Sequence, residues 1–311
     1  MEYREFGRTG LRLSVIGFGA ATLGHVFRKI DEAEGKRAVA AAVDRGINFF
    51  DTSPYYGLTR SETVLGEALQ GRRHKIILST KLGRYDFADF DFSAERVRTS
   101  IEESLRRLQT DYVDLLMAHD VEFGDLRQVA EETIPAMQEL KRQGKCRFIG
   151  FSGYPLKALT QVLEIVKSEI DFVLSYCHSC LYNTALVETF GPEARARGLG
   201  LINASPLAMG LLTQDGPPDW HPAPQELKDA ARQAAELCGK RGAELSFIGL
   251  QFAMSNEMIS TTLSGIENRE QLEKNLRTLA APRDEELLKQ IREIFEPVRN
   301  ATWPSGLPEN N

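Results

Sequence analysis

The sequence predicts a single closed (β/α)8 barrel, a TIM barrel, spanning residues 1–311, with an N-terminal β-hairpin and a C-terminal helix. Three observations predict it. Short apolar runs alternate with longer amphipathic ones about eight times along the chain. The apolar runs are nearly continuous, as strands of a parallel sheet are when helices cover it. A length of 311 residues suits one such barrel, and no stretch reads as an interdomain linker.

The elements follow in order. Tyr3 to Phe6 and Leu11 to Leu13 flank a Gly7-Arg8-Thr9-Gly10 turn and read as a hairpin. Leu13 to Phe18, closing at Gly19, is the first barrel run. Ala38, Val39, Ala42 and Val43 share one helical face, and Gly46 ends that helix. Ile47 to Phe50 is the next strand, and Ser61 to Leu69 the next helix. After strand Ile76 to Thr80, Ser93 caps a helix through Leu108, with Glu95 in its first turn. Strand Tyr112 to Met117 leads to a helix through Leu140, ending at Gly144. Strands Phe148 to Phe151, Asp171 to Leu174 and Leu199 to Ile202 alternate with helices from Leu156 and Thr184. A long insertion containing Gly216-Pro217-Pro218 reads as a loop, followed by a helix. Ile259 to Leu263 is the eighth barrel strand, with a helix from Arg269.

Composition narrows the function classes. Hydrophobic residues at 42% and charged residues at 26% exclude disorder and fibrous structure. A net charge of -6 argues against nucleic acid or an anionic membrane as the main partner. No uninterrupted apolar run is long enough to span a bilayer. The charged start, Met1 to Glu5, lacks the apolar core of a secretion signal, and four cysteines are no disulfide framework. The expected compartment is a reducing cytoplasm.

In such a barrel the C-terminal strand ends build the active site. Asp51, Tyr55 and Tyr56 follow one apolar run, Lys81 the next, His119 and Asp120 the next, and Ser152 the next. Each alone has an ordinary reading as a turn residue, a solvated cation or a satisfied histidine. Together they bring an anion, a phenol, an ammonium and an imidazole to one mouth, the composition of a proton-transfer site. A phenol is a poor acid or base at neutral pH, and a nearby ammonium favours its phenolate. Asp51 would keep Lys81 charged, and neutral His119 would orient an alcohol or carbonyl oxygen. The set suits hydride transfer to or from a carbonyl, with Tyr56 exchanging the proton. A second reading is a Schiff-base aldolase with Lys81 as nucleophile. Cys177-His178-Ser179-Cys180 has metal-like spacing but lacks a second ligand pair, so no metal is expected.

The segment Gly46-Ile47-Asn48-Phe49-Phe50-Asp51-Thr52-Ser53-Pro54-Tyr55-Tyr56-Gly57 resembles the signature of the aldo-keto reductase superfamily. Asp51, Tyr56, Lys81 and His119 match that family's catalytic tetrad in order and strand position, and the resemblance covers nearly the whole chain. The segments Phe92 to Arg98, His119 to Gly124, Ala204 to Leu212 and Gly216 to Pro222 resemble its sugar-oxidising plant branch. The resemblance implies NAD-dependent oxidation of L-galactose, or a close L-aldose, at C1 to the aldonolactone. The alternative is an NADPH-dependent aldehyde or ketone reductase on the same barrel. A regulatory subunit of potassium channels, another role in the superfamily, fits the intact tetrad less well.

Gly17-Phe18-Gly19-Ala20-Ala21-Thr22 falls short of the G-x-G-x-x-G fingerprint, so a Rossmann-type dinucleotide site is not expected. The resemblance implies a different one. Gly19, Ala20 and Asp51 join it from the first strand ends. Ser152 matches the residue holding the nicotinamide amide, with Gly153 in place of the usual Asn. Ser175 stands near the usual Gln, and Ala204 near the usual stacking aromatic. Ser205, Leu207, Gly210 and Leu211 match the pyrophosphate loop; Gly265, Gln271 and Asn275 match the adenosine end. The Lys and Arg that hold a 2′-phosphate in NADP-preferring members are replaced by Gly265 and Gln271, which implies NAD. Arg269 and Lys274 remain as cations in that stretch. For the sugar, Tyr56, Tyr85, His119, Asp120, Cys177 and Trp220 are the expected pocket residues.

Overall fold

The computed structural model describes residues 1–26 and 28–311. Strands β1 (Tyr3–Glu5) and β2 (Arg12–Ser14) form the antiparallel hairpin. Eight parallel strands then close on themselves: β3 (Ile16–Gly19), β4 (Phe49–Asp51), β5 (Ile77–Leu82), β6 (Val113–Ala118), β7 (Cys146–Gly153), β8 (Phe172–Tyr176), β9 (Gly200–Ala204) and β10 (Thr261–Gly265), with β10 pairing both β9 and β3. The run Leu13 to Phe18 is therefore two strands. The chain turns where the Ser14 hydroxyl donates to Ile16 O at 2.7 Å and the Asn48 side chain accepts from Ser14 N.

Helices α1 (Glu32–Asp44), α2 (Arg60–Ala68) and α3 (Ala94–Leu108) cover the first crossovers. The expected Ser93 cap is present, its hydroxyl accepting from Arg96 N. A short α4 (Leu126–Gln128) passes through a π turn (Val129–Thr133) into α5 (Ile134–Arg142). After α6 (Leu156–Ile165), a second π turn (Leu186–Phe190) leads into α7 (Gly191–Arg197). Both π turns stand just ahead of a proline, Pro135 and Pro192, whose missing N–H shifts the local hydrogen-bond register. The insertion after β9 carries two helices where one was expected, α8 (Gln225–Lys240) and α9 (Leu245–Ala253), broken at Gly242 with φ +68°. Helices α10 (Arg269–Ala280) and α11 (Glu285–Phe295) finish the fold.

Phe49, Leu115, Met117, Phe172, Leu174, Ile202 and Leu263 fill the barrel interior, with Phe6 and Leu13 of the hairpin end beneath them. This packing leaves the opposite rim for polar side chains. Among the described residues no helix is long and apolar enough to cross a membrane.

Candidate active site

Strand register sets the site. Gly265, Gly19, Asp51 and Ser79 stand side by side across β10, β3, β4 and β5. Lys81 and Met117 are paired across β5 and β6, with His119 just beyond. The loop carrying Tyr56 is pressed against the turn after β3. A side chain at Gly57, where φ is +63°, would meet Gly24 O at 1.9 Å, so only glycine permits this approach.

The four expected catalytic residues converge. Lys81 Nζ donates to Asp51 Oδ2 at 2.6 Å and to Thr52 O at 2.7 Å, with both side chains buried. Its ammonium also lies 4.6 Å from the Tyr56 ring centre. The Tyr56 and His119 rings meet edge to face at 5.7 Å. Burial works against the Lys81 ammonium, yet Asp51 and Tyr56 hold it above its ordinary value. Burial and the Lys81 and Arg84 cations all drive the His119 imidazole well below its ordinary value, so the ring is neutral. Ser53 Oγ lies 3.1 Å from His119 Nδ1, and Asp120 Oδ2 lies 3.6 Å from Nε2. A carboxylate on that side favours the tautomer with its proton on Nε2. The expectation for Tyr56 needs correction. Lys81 does favour the phenolate, but burial outweighs it, and with Asp51 and Asp120 pushes the phenol up to about 12.

The expected substrate residues divide. Asp120 sits at the mouth, buried and bonded to Arg84 Nη1 at 2.6 Å. Arg84 lies over Tyr55, with Cζ 3.9 Å from the ring centre. Tyr85 turns the other way. Its hydroxyl accepts from Gly83 N, and Arg96 of α3 covers its ring. Cys177 is buried just past the end of β8, its N–H donating to Ala204 O. Trp220 is 59% exposed, its ring 6.1 Å from His221 on the loop after β9. Sequence reasoning missed three residues: Ser53, Arg84 and Glu122. Glu122 Oε1 accepts from Tyr154 N, Tyr176 OH and Ser305 Oγ, and burial first, then Asp120, pushes its carboxyl up to about 8.

The residues expected around a dinucleotide line the same rim. Asp120, Cys177 and Ser205, each just past a barrel strand, have φ of +51°, +62° and +48°. Ala208, Met209 and Gly210 continue left-handed in the loop of Leu207 and Leu211. Such strain at non-glycine residues costs roughly 1–3 kcal/mol each and gathers at ligand sites. Ala20 is fixed by Ser61 Oγ donating to its carbonyl. Ser152 Oγ accepts from Asp120 N, and Ser175 Oγ contacts His178 Nδ1 at 3.2 Å. Buried Asp51 Oδ1 has no partner and is free to accept from a bound group. At the far end, Gln271 Oε1 accepts from Glu267 N, and Asn275 Nδ2 donates to Ser264 Oγ. Gly153 leaves room that Glu122 takes, since a Cβ there would fall 2.8 Å from Glu122 Oε2.

Comparison with known proteins agrees with this geometry. The chain is 48% identical to a protein named L-galactose dehydrogenase from Arabidopsis thaliana, over 100% of this chain and 99% of the relative. It is 32% identical to a D-arabinose 1-dehydrogenase from Saccharomyces cerevisiae, over 86% of each. Its fold matches a holo-form aldo-keto reductase from Bacillus halodurans with TM-score 0.79 at 27% identity, covering 94% of this chain and 96% of that one. The aldo/keto reductase family model matches residues 15–296, and the chain belongs to that family.

Proposed function

We propose that this protein oxidises L-galactose, or a close L-aldose, at C1 to the aldonolactone, with NAD as the hydride acceptor in preference to NADP. The observation that carries the reading is the buried Asp51–Lys81–Tyr56–His119 assembly at the barrel rim. Bound NAD supplies a cationic ring that accepts hydride. His119 Nε2 donates to the C1 oxygen and aims it at Tyr56. Tyr56 takes the hydroxyl proton as the C1–H pair leaves as hydride and the C1–O double bond forms. Lys81, kept charged by Asp51, stabilises the phenolate that must do this. The residues present fit the dinucleotide: Asp51 Oδ1 is an orphaned acceptor, and the Ser205–Leu211 loop is a strained cradle. Gly19, Ala20, Ser152 and Ser175 would flank the nicotinamide end; Gly265, Gln271 and Asn275 the adenosine end.

The choice of NAD is supported by the pairing of nearby cations. Arg269 Nε donates to Glu34 Oε1 at 2.9 Å, Lys274 is paired with Glu244, and Arg28 with Glu267. None is free to fork onto a 2′-phosphate. The L-galactose assignment rests on the 48% identical relative. Four unpaired cysteines, all buried, support a reducing cytoplasmic setting. A panel of aldoses assayed with NAD and then NADP, followed by reduced-nicotinamide absorbance and product analysis, tests the proposal. Oxidation at C6, or no activity on any free aldose, would sink it.

A further inference from the structure

We infer that Asp120, held by Arg84, is a specificity determinant that accepts a hydrogen bond from the hydroxyl on the carbon next to the reacting one. The inference rests on the reading of the substrate as an aldose. His119 Nε2, which under the proposed function donates to the reacting oxygen, lies 3.6 Å from Asp120 Oδ2. Two hydroxyl oxygens on adjacent carbons lie about one hydrogen-bond length apart. One seated on Nε2 therefore places its neighbour within reach of Oδ2, and a vicinal diol closes the gap between imidazole and carboxylate. A lone hydroxyl forgoes that charge-assisted hydrogen bond to the carboxylate.

Arg84 makes this carboxylate a fixed acceptor. Its Nη1 donates to Oδ2 at 2.6 Å, and its guanidinium lies over Tyr55, Phe123 and Phe90 at 3.9, 4.9 and 5.3 Å. That aromatic box fixes the fork and so the carboxylate. Arg84 Nε is buried without a partner beside the same mouth. Asp120 itself stands at φ +51°, a strained turn that brings its side chain back toward His119. The ion pair acts on the proton route through its field, Asp120 on Tyr56 and Arg84 on His119, so the test compares two sugars within each enzyme rather than one sugar between enzymes. Asp120 is thus a group that touches substrate, and Arg84 positions it.

The test compares kcat/KM for an aldose and its 2-deoxy analogue, both with NAD. The unmodified protein is expected to prefer the 2-hydroxy sugar by tenfold to a hundredfold, the worth of about one charge-assisted hydrogen bond. In the Arg84→Met, Asp120→Asn double variant, which leaves no unpaired buried charge, the ratio is expected to fall to near one, mainly through KM. Its folding is checked by dinucleotide binding. A preference unchanged in the folded double variant overturns the inference. A ratio near one in the unmodified protein overturns it without any variant, whether or not the variant folds. If no free aldose is oxidised at all, the substrate reading fails and takes this inference with it; aldose oxidation with either of the previous results sinks the inference alone.

Discussion

Burial sets the task of Lys81 and the state of Tyr56 together. The pocket that excludes water pushes the phenol up to about 12, far from a useful base at neutral pH, and the Lys81 ammonium, 4.6 Å from its ring centre, works in the opposite direction. The phenolate fraction below that value falls about tenfold per pH unit. Oxidation should therefore speed up as pH rises from about 7 to about 10, since the reactive form is the deprotonated one. A flat profile over that range would show that Tyr56 deprotonation is not what limits the rate. Tyr56→Phe should lose roughly 10²–10⁴ in turnover while still binding dinucleotide, as read by fluorescence titration. Lys81→Met should move the same profile to higher pH, because the ammonium that favours the phenolate is gone. The tetrad was legible because each member directly follows an apolar run, which fixes its end of the barrel. Arg84 was not. It shares a turn with Tyr85, and the pairing of Arg84 with Phe90 across the loop goes with its side chain reaching Asp120 while Tyr85 turns to Gly83. Such pairing across a loop leaves no periodic trace in sequence.

Elements beyond the barrel strands tune the site through their ends. The N-terminal turn of α10 is capped by Asn268 and carries Gln271, which under the proposed function stands where a 2′-phosphate would need a cation. Gln271→Arg should narrow the ratio of kcat/KM for NAD over NADP by about tenfold or more, the worth of one charged contact. An unchanged ratio would place the 2′ position elsewhere. The short 3-10 turn Val121–Phe123 has a different task. Its Glu122 latches the C-terminal tail: the carboxyl accepts from Ser305, and the backbone carbonyl accepts from Leu307 N and Asn310 Nδ2. The carboxyl is raised from 4.5 to about 8, so the folded state holds a proton that the unfolded chain has lost over that window. Stability from this group is therefore full below pH 4.5 and falls as pH rises toward about 8, at up to about 1.4 kcal/mol per unit. Glu122→Gln removes the titration. Its melting temperature should exceed that of the unmodified protein by a margin that grows from pH 5 to about 8 and then levels off. A margin independent of pH would show that Glu122 is ionised in the fold. The tail itself could not be foreseen, because residues 303–311 carry no apolar period and are ordered by scattered contacts, Trp303 on Tyr154 and several hydrogen bonds to Glu122 among them.

At the scale of the whole molecule, the alternation of apolar and amphipathic segments determined the barrel almost completely, since each strand must be covered on its outer face and packed on its inner one. What it left open were the π turns before Pro135 and Pro192 and the break between α8 and α9, all local responses to a missing donor or a left-handed residue. The division of labour between the two barrel ends was also implicit. Polar strand ends crowd one rim, while the hairpin closes the other. Phe6 is fully buried there, 5.5 Å from the Phe172 ring and directly under Gly200, where a Cβ would fall 2.3 Å from its ring. Arg4 ties the hairpin down by donating to the carbonyls of Met254, Asn256 and Ile259. A ring so enclosed cannot be trimmed without leaving a cavity, because Gly200 and the neighbouring backbone cannot move inward to fill it. Phe6→Ala should therefore cost about 3–5 kcal/mol in urea unfolding. The tetrad lies at the opposite strand ends, so kcat at room temperature should stay within about twofold of the unmodified protein where both are folded. A variant that loses turnover but not stability would mean that the hairpin reaches the chemistry through the barrel. The expected pattern, stability lost and turnover kept, would show the two ends to be energetically separate.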